Sequence, residues 1–229
     1  MNYNYNEKMK RMYFRIASLF LAICLLPGFF SCSREEPEIV FVFIELVYYS
    51  ERDNNPEERY SFFIIPEDDD GVDNLSELYL YHDREGLRWL ITSDDWITHE
   101  EGGITWIGSR SIAMFDDSPL PRGQYRAVLV NRGGESTERR FTFDGPVTPP
   151  HPFPTLTISE GNYQIDSQYP LNHFVGYDLQ GRVIQTLTIA ENEGSIRNLR
   201  LQSSVRSIAL WAEDPIYHIS AFTEVVSLR

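Results

Sequence analysis

The sequence is poor in cysteine, and both of its cysteines lie near its start. Cys24 and Cys32 are the only two among the 229 residues. The chain after Cys32 therefore cannot form a disulfide, a CxxC redox site or a cysteine-ligated zinc site. A folded domain in this part of the chain has to be stabilised by its core alone. A content of 42% hydrophobic and 14% aromatic residues is enough to build one.

Positive charge is also scarce. The chain has 20 Lys and Arg residues against 34 Asp and Glu residues, which gives a formal net charge of -14. A protein that binds nucleic acid needs a basic surface to displace the counterions of the phosphates, and docking on anionic lipid also needs basic residues. The charge therefore argues against a nucleic-acid partner and against electrostatic binding to a membrane.

The common catalytic and cofactor-binding motifs are missing. There is no G-x-S-x-G elbow, no Walker loop and no G-x-G-x-x-G. The five histidines show neither an H-x-H pair nor helical spacing, and we expect them to be exposed in loops. Neighbouring carboxylates such as Asp94 and Asp95 point to opposite faces of a strand, so they do not form a catalytic pair. We expect no enzyme activity, no cofactor and no bound metal ion.

The first residues have the layout of a secretion signal. Both lysines, Lys8 and Lys10, precede an apolar block that runs from Ile16 to Phe30. This block is shorter than the ~20 residues that a membrane-spanning helix needs. It ends in Phe29-Phe30-Ser31-Cys32, which resembles a bacterial lipobox, where a small residue precedes a cysteine that is lipidated and becomes the first residue of the mature protein. The two phenylalanines resemble the relaxed lipoboxes of spirochaetes and some Bacteroidetes.

The resemblance implies a signal peptide over 1–31, cleavage between Ser31 and Cys32, and a lipid anchor on Cys32. The implied location is the bacterial cell envelope, at the outer membrane or the periplasmic face, with the membrane contacted through the covalent lipid. Three alternatives stay open. They are lipidation of Cys24, an uncleaved signal anchor, and plain secretion after cleavage by the general signal peptidase.

The rest of the sequence is typical of an all-β protein. Short apolar or alternating segments, rich in β-branched and aromatic residues, recur between turn sequences such as Asp70-Gly71. Only 73–80 has any helical character. Many strand-length segments at spacings of about 8–12 residues predict a sandwich or barrel. The predicted strands cover 39–49, 60–65, 78–81, 87–92, 104–107, 111–115, 124–130 and 139–143, then 155–158, 163–165, 174–178, 182–189, 196–201, 205–211 and 218–228 with a break.

One stretch indicates the type of sandwich. Pro121-Arg122-Gly123-Gln124-Tyr125 leads into an alternating strand that ends at Val130, and a glycine-containing turn then leads into Phe141-Thr142-Phe143. This arrangement resembles the last two strands of immunoglobulin-like and fibronectin type III-like domains. In those domains a tyrosine often closes a corner by a hydrogen bond to the backbone. The resemblance implies that role for Tyr125.

A proline-rich stretch separates the predicted strands into two groups. Five prolines fall within 145–154, and such backbone is extended, stiff and unable to pair as a strand. We predict a tether over 32–38, a first β-sandwich over 39–145, a Pro-rich linker over 146–154 and a second β-sandwich over 155–229. A single larger β-domain, with the prolines in a surface loop, is the alternative.

The densest acidic run is one candidate ligand site. It surrounds Asp70-Gly71 and continues to Asp73 and Asn74. Oxygen ligands on a glycine-containing loop suit calcium, but the spacing differs from that of an EF-hand. The simpler interpretation is that Asp70-Gly71 forms a turn and that Asp73 or Asn74 caps the segment that follows.

Trp96 is the other candidate. It lies between two pairs of polar residues, whereas Trp89 and Trp106 lie inside strand patterns and are predicted to be core. Exposed aromatic rings can stack on sugars, so we expect Trp96, with Asp70 and Asp73, to be the residues that contact any ligand.

These observations predict a membrane-anchored envelope lipoprotein that acts as a binding or assembly module without catalysis. Sandwich domains act through their loops and strand edges, so an envelope protein is the expected partner. The alternative is a carbohydrate-binding envelope protein that uses its exposed aromatic residues. A glycan-acting enzyme is the third possibility, and it would need two carboxylates that converge in a cleft.

Overall fold

The structure, a computed structural model, describes residues 36–50 and 56–228. The chain from Glu36 onward forms one compact unit. Within the described residues it folds into sixteen strands and two single 3-10 turns, Val72–Asn74 and Ile196–Asn198. The strands are β1 (Glu38–Tyr49), β2 (Glu57–Glu67), β3 (Leu75–His82), β4 (Leu87–Thr92), β5 (Ile97–Glu101), β6 (Ile104–Ile112), β7 (Gly123–Asn131), β8 (Ser136–Phe143), β9 (Thr155–Ser159), β10 (Asn162–Asp166), β11 (Leu171–Tyr177), β12 (Val183–Ile189), β13 (Glu193–Ser195), β14 (Ser207–Asp214), β15 (Ile219–Phe222) and β16 (Val226–Ser227).

Alternating side chains explain why these segments form strands. In β7, Tyr125, Ala127 and Leu129 are buried, and the residues between them are more exposed. Strand β3 repeats the pattern with Leu78 and Leu80. A period of two places every second side chain on one face of a sheet, so each of these strands offers one apolar face to a core.

The strands form three sheets. The longest follows the order β12-β11-β14-β15-β1-β2-β6-β5, with β16 also paired to β14. A four-stranded sheet has the order β4-β3-β7-β8, and a three-stranded sheet has the order β13-β10-β9. Neighbouring strands are antiparallel, with the exception of β1 and β15, which are parallel.

Two hydrophobic cores lie between these sheets. The first joins side chains of β1, β2 and β6 with those of β3, β7 and β8, and it includes Tyr60, Phe62 and Leu80. The second joins β11 and β14 with β10, and it includes Phe174 and Tyr163. Each core is therefore enclosed between part of the long sheet and one smaller sheet, which is the arrangement of a β-sandwich. The prediction of an all-β protein built from sandwiches is confirmed.

The two groups of strands share the long sheet. Strand β1 pairs with β15, so that Leu46 lies opposite Ile219 and Tyr48 lies opposite Ala221. The first core also takes in Tyr169 and other side chains that follow the proline-rich stretch. The two groups are thus joined by backbone pairing as well as by side chains. The predicted boundaries stay a prediction about which segments fold independently.

Several elements differ from the sequence-based predictions. The strands predicted over 104–107 and 111–115 are one strand, β6, which ends at Ile112, and β13 was not predicted. The candidate helix over 73–80 is wrong, because the chain makes one 3-10 turn and then enters β3 at Leu75. The strand predicted over 196–201 is also wrong, since Ile196–Asn198 is a 3-10 turn, and Ile196 packs on the second core together with Leu199 and Leu201, which follow the turn. Strand β5 is missing from the prediction because all five of its residues are exposed and lack an apolar alternation.

The predicted tyrosine corner is present. Tyr125 is 2% exposed, and its hydroxyl donates to the carbonyl of Pro121. The Tyr60 hydroxyl donates to the same carbonyl at 2.8 Å. His82 is buried beside them, with its ring centroid 4.7 Å from that of Tyr125. The expectation of exposed loop histidines is therefore wrong for His82, which lies on the inward face of β3 next to the corner. It is also wrong for His173, which lies in β11 with its side chain only 14% exposed.

A buried ion pair fastens the start of the proline-rich stretch to the first sandwich. The guanidinium of Arg122 lies 3.1 Å from both carboxylate oxygens of Glu58, and the two side chains are only 13% and 10% exposed. The same group donates to the carbonyls of Gly145 at 3.3 Å and Pro146 at 2.8 Å. Burial opposes the charge of Arg122, but the carboxylate of Glu58 outweighs it and raises the pKa of Arg122. Arg122 thus holds this backbone against β2.

Candidate functional site

The predicted lipid anchor lies outside the described residues. Ser31 and Cys32, with the signal peptide predicted over 1–31, precede residue 36. In the part of the chain that the structure describes, no helix is long and apolar enough to cross a membrane. The anchor therefore stays a prediction from the sequence.

Trp96 and Asp73 lie together in one cleft of the first sandwich. This cleft has a volume of about 310 Å3 and forms where β5 and β6 meet the turn before β3. Thr98 of β5 pairs opposite Ile107, which is fully buried, so this side of β5 faces inward. Trp96 itself is partly buried and packs against the first core. The polar lining of this Trp96 cleft consists of Asp73, Asp94, Glu100, Arg132, Ser93, Thr98 and Thr105.

A tight turn sets the position of Trp96. Its backbone N–H donates to the carbonyl of Thr92 at 3.0 Å. The hydroxyl of Thr92 also donates to the carboxylate of Asp95 at 2.6 Å, so a side-chain hydrogen bond stabilises the same turn. The cleft therefore presents one indole ring, carboxylates that accept hydrogen bonds, and hydroxyls that both donate and accept. With the guanidinium of Arg132 as a further donor, these groups suit a ligand that is rich in hydroxyl groups.

The acidic run forms a turn beside the cleft, and Asp70 is not among the described residues that line it. Gly71 has a φ of 84°, and its N–H donates to the carbonyl of Asp68 at 2.9 Å, which confirms the Asp-Gly turn. The carboxylate of Asp68 accepts from the N–H of Asp70 and from the side chain of Asn74. No side chain caps the 3-10 turn that follows, so the predicted capping by Asp73 or Asn74 is wrong. No group of three or more His, Cys, Asp or Glu side chains in the described residues is placed to hold a metal ion.

The outward face of the long sheet carries a second surface. Strand pairing places Phe41 opposite Ile65, on the side of the sheet away from the first core. Phe41 and Trp106 meet edge to face, with ring centroids 5.9 Å apart. Phe41 is 48% exposed, Ile104 46% and Ile97 40%. We call this surface the outer patch, and its members are Phe41, Phe43, Phe63, Ile65, Ile97, Ile104 and Trp106.

The position of Trp106 corrects the prediction that it belongs to a core. Its neighbour Ile107 is fully buried in the first core, and successive side chains of a strand point to opposite faces. Trp106 therefore points outward. Trp89, in contrast, packs against the first core as predicted, and its indole N–H donates to the carbonyl of Ala113 at 2.8 Å. The sequence alone does not show that Trp89 faces a core and Trp106 faces outward, because both lie in short apolar strands.

Glu45 lies on the same outward face, opposite Ser61. Burial raises the pKa of its carboxyl to about 7; Ser220 and Arg110 oppose the shift, and Glu213 adds to it. At neutral pH this carboxyl is therefore partly protonated.

The fold defines an all-β protein of the sandwich type. No protein-family model matches the sequence, and no curated protein matches it. Among solved structures, the chain is similar to dimeric latent PorU from Porphyromonas gingivalis, with 14% identity over 86% of this chain and a TM-score of 0.33. The match spans 21% of the PorU chain. Murine CEACAM1b shows 11% identity over 82% of this chain and 99% of its own, with a TM-score of 0.25. The fibronectin(III)-like modules of CbhA from Clostridium thermocellum show 15% identity over 80% of this chain and 94% of their own, with a TM-score of 0.21.

Proposed function

We propose that this chain is a lipoprotein of the bacterial cell envelope, anchored by a lipid on Cys32, whose sandwich part is a non-catalytic binding module for a protein partner. The anchor is supported by the basic residues, the short apolar block and the small residue before the cysteine. Strand β1 begins at Glu38, and the few residues between it and Cys32 extend at most about 20 Å. The module is therefore held close to the membrane surface.

The outer patch carries the binding role. Soluble proteins rarely expose a contiguous apolar surface, and those that do commonly use it to contact another protein. The centres of protein interfaces are enriched in aromatic residues, and Phe41 and Trp106 form such a pair here. A small molecule needs a concave site, whereas the face of a sheet suits the surface of another protein.

Replacing Cys32 by serine is expected to move the protein from the membrane fraction to the soluble fraction. A serine hydroxyl cannot take the thioether-linked lipid, and the two or three acyl chains of a lipoprotein are what make attachment durable. Fractionation of cells, with the intact mass of the mature protein, measures the effect. Cys24→Ser is the matched control and should leave both results unchanged. Unchanged partitioning of Cys32→Ser would contradict the anchor.

Carbohydrate binding at the Trp96 cleft is the second candidate function. The specific observation in its favour is that a partly exposed indole ring lies beside carboxylates and hydroxyls in one concave site. Sugars stack on aromatic rings through their C–H faces and hydrogen-bond to carboxylates through their hydroxyl groups. Asp73 and Trp96, two residues chosen from the sequence, belong to this site.

One capture experiment separates the two candidates. We expect Phe41→Ser to lower the capture of an envelope protein by about tenfold or more, because a central aromatic residue is a typical hot spot. Trp96→Ala should leave that capture unchanged. Leu90→Ser is the control, since Leu90 is equally exposed, at 47%, on the edge strand β4. Loss of binding to purified envelope glycan in Trp96→Ala alone would favour the second candidate, and equal binding by all variants would reject both surfaces.

A further inference from the structure

The proline-rich stretch forms the wall of a second cavity, away from the outer patch and the Trp96 cleft. We call it the proline pocket, and its volume is about 460 Å3. It lies where the stretch passes Tyr48 of β1, close to the pairing of β1 with β15. Volumes of this size are ordinary for ligand sites. The residues used below are Tyr48, Phe153, Tyr169, Pro149, Pro150 and Pro152.

Tyr48 contributes an unsatisfied hydrogen-bond donor. Its side chain is only 2% exposed, and its hydroxyl donates no hydrogen bond to any of the described residues, although Arg122 lies close enough to donate toward its oxygen. Burial raises the pKa of this phenol well above its usual range, so the group keeps its hydrogen. Arg122 lies near enough to stabilise the phenolate by its charge, but a guanidinium can only donate. The hydrogen of the Tyr48 hydroxyl therefore lacks an acceptor, which is uncommon for a buried polar group.

The imidazole of His151 at the pocket wall already has a partner. His151 Nε2 lies 2.8 Å from Asp214 Oδ2. Burial opposes the charge of Asp214, but the hydrogen bonds from His151 and from backbone amides outweigh it and lower its pKa. The ring of His151 packs at 4.8 Å on that of Tyr169, which is 4% exposed. The rest of the pocket wall consists of proline and aromatic rings with two phenolic hydroxyls, those of Tyr48 and Tyr169, and the Tyr48 hydroxyl is the buried one that lacks an acceptor among the described residues.

We propose that the proline pocket binds an extended, proline-containing segment of a protein partner, and that a backbone carbonyl of this segment accepts a hydrogen bond from Tyr48. Proline-rich segments are extended before binding, and aromatic-lined grooves recognise them at low entropic cost. Backbone carbonyls next to proline are also free to accept, since such segments form no internal hydrogen bonds. The net charge of -14 disfavours acidic segments, so the ligand is uncharged or basic.

This inference rests on the proposed function in one respect, namely that the partner is a protein. Either of the two can fail while the other holds. A calorimetric titration of the purified protein with the capped peptide Ac-Ala-Pro-Pro-Tyr-Pro-Ala-NH2 tests the inference. Its result depends neither on the membrane anchor nor on the outer patch. We expect saturable binding by the unaltered protein. The matched peptide with glycine in place of every proline should bind at least about tenfold more weakly, because it has to be ordered on binding.

Tyr48→Phe removes the donor and keeps the ring, so we expect about five- to tenfold weaker peptide binding with an unchanged thermal unfolding midpoint. Tyr79→Phe is the control, because the Tyr79 hydroxyl is bonded to Glu77 at 2.7 Å outside the pocket, and it should bind as the unaltered protein does. Phe153→Ala tests the wall independently and should also weaken binding.

Absence of peptide binding, equal affinity for both peptides, or equal affinity of Tyr48→Phe would each overturn the proposal. So would saturable binding of indole alone with none of the peptide, because it would make the pocket a small-molecule site.

Discussion

Replacing Arg122 by methionine is expected to lower the free energy of unfolding by about 3–5 kcal/mol. The change leaves the carboxylate of Glu58 buried without its counter-charge, and it removes the donor to the carbonyls of Gly145 and Pro146. An uncompensated charge in a low-dielectric environment is costly, whereas the apolar part of the side chain is retained by methionine. Chemical denaturation at neutral pH measures the loss.

Two variants show whether the cost comes from the unpaired charge. Adding Glu58→Gln to Arg122→Met should recover part of the lost stability, because no buried charge then remains. Arg84→Met is the matched surface control. Arg84 and Glu85 are 88% and 53% exposed with a separation of 3.7 Å, and exposed pairs contribute only about 0–1 kcal/mol. If Arg122→Met unfolded with the same midpoint as Arg84→Met, the buried pair would not stabilise the protein.

Phe174→Ala is expected to destabilise the protein by about 3–5 kcal/mol, because it opens a cavity in the second core. Phe174 is fully buried and meets Tyr163 edge to face, with ring centroids 5.1 Å apart. We further expect a single transition, since β1 and β15 join both sandwiches in one sheet. Trp89, which packs on the first core, should report the same lowered midpoint as circular dichroism.

The outcome of Phe174→Ala also tests the predicted domain boundaries. Leu179→Ala is the control, because Leu179 is 79% exposed in the turn after β11 and should change stability by no more than about 0.5 kcal/mol. Two separate transitions, with the first sandwich unaffected by the substitution, would mean that 39–145 and 155–229 fold independently. A shared transition would favour the alternative of one larger β-domain.

Local patterns predicted much of the fold. The alternation in β3 and β7, the Asp70-Gly71 turn before β3, and the Tyr125 corner all depend on residues that are close in sequence. Each follows from the two-residue period of a strand or from the preference of turns for glycine. Such features can be predicted because the few neighbouring residues that favour each one are also the residues that form it.

Pairing between distant segments could not be predicted in this way. Nothing in the residues of β1 indicates that its partners are β2 on one side and β15 on the other. The face on which Trp106 lies depends on where the register of β6 places Ile107, and a shift of one residue would reverse it. The segment 196–201 resembles a strand in composition because Ile196, Leu199 and Leu201 also pack on a core.

The candidate sites also differ in how much of each could be predicted from single residues or local motifs. Trp96 and Asp73 were identified separately from their chemical character, and the fold brings them into one cleft. The outer patch and the proline pocket draw their residues from segments far apart in the chain, so no local motif predicts them. The proline-rich stretch has the composition of a spacer, and only its position against Tyr48 shows that it encloses a cavity.

Because Leu46 pairs with Ile219, strand β1 cannot gain its second neighbour until the residues of β15, more than 170 positions later, have been synthesised. Contacts of such long sequence separation form slowly, since a large loop has to close first. During that interval the apolar strand β1 has an open edge, which is a template for pairing with another chain. A nascent molecule interrupted before β15 would therefore be prone to aggregate, and its maturation depends on protection of that edge until the last strands arrive.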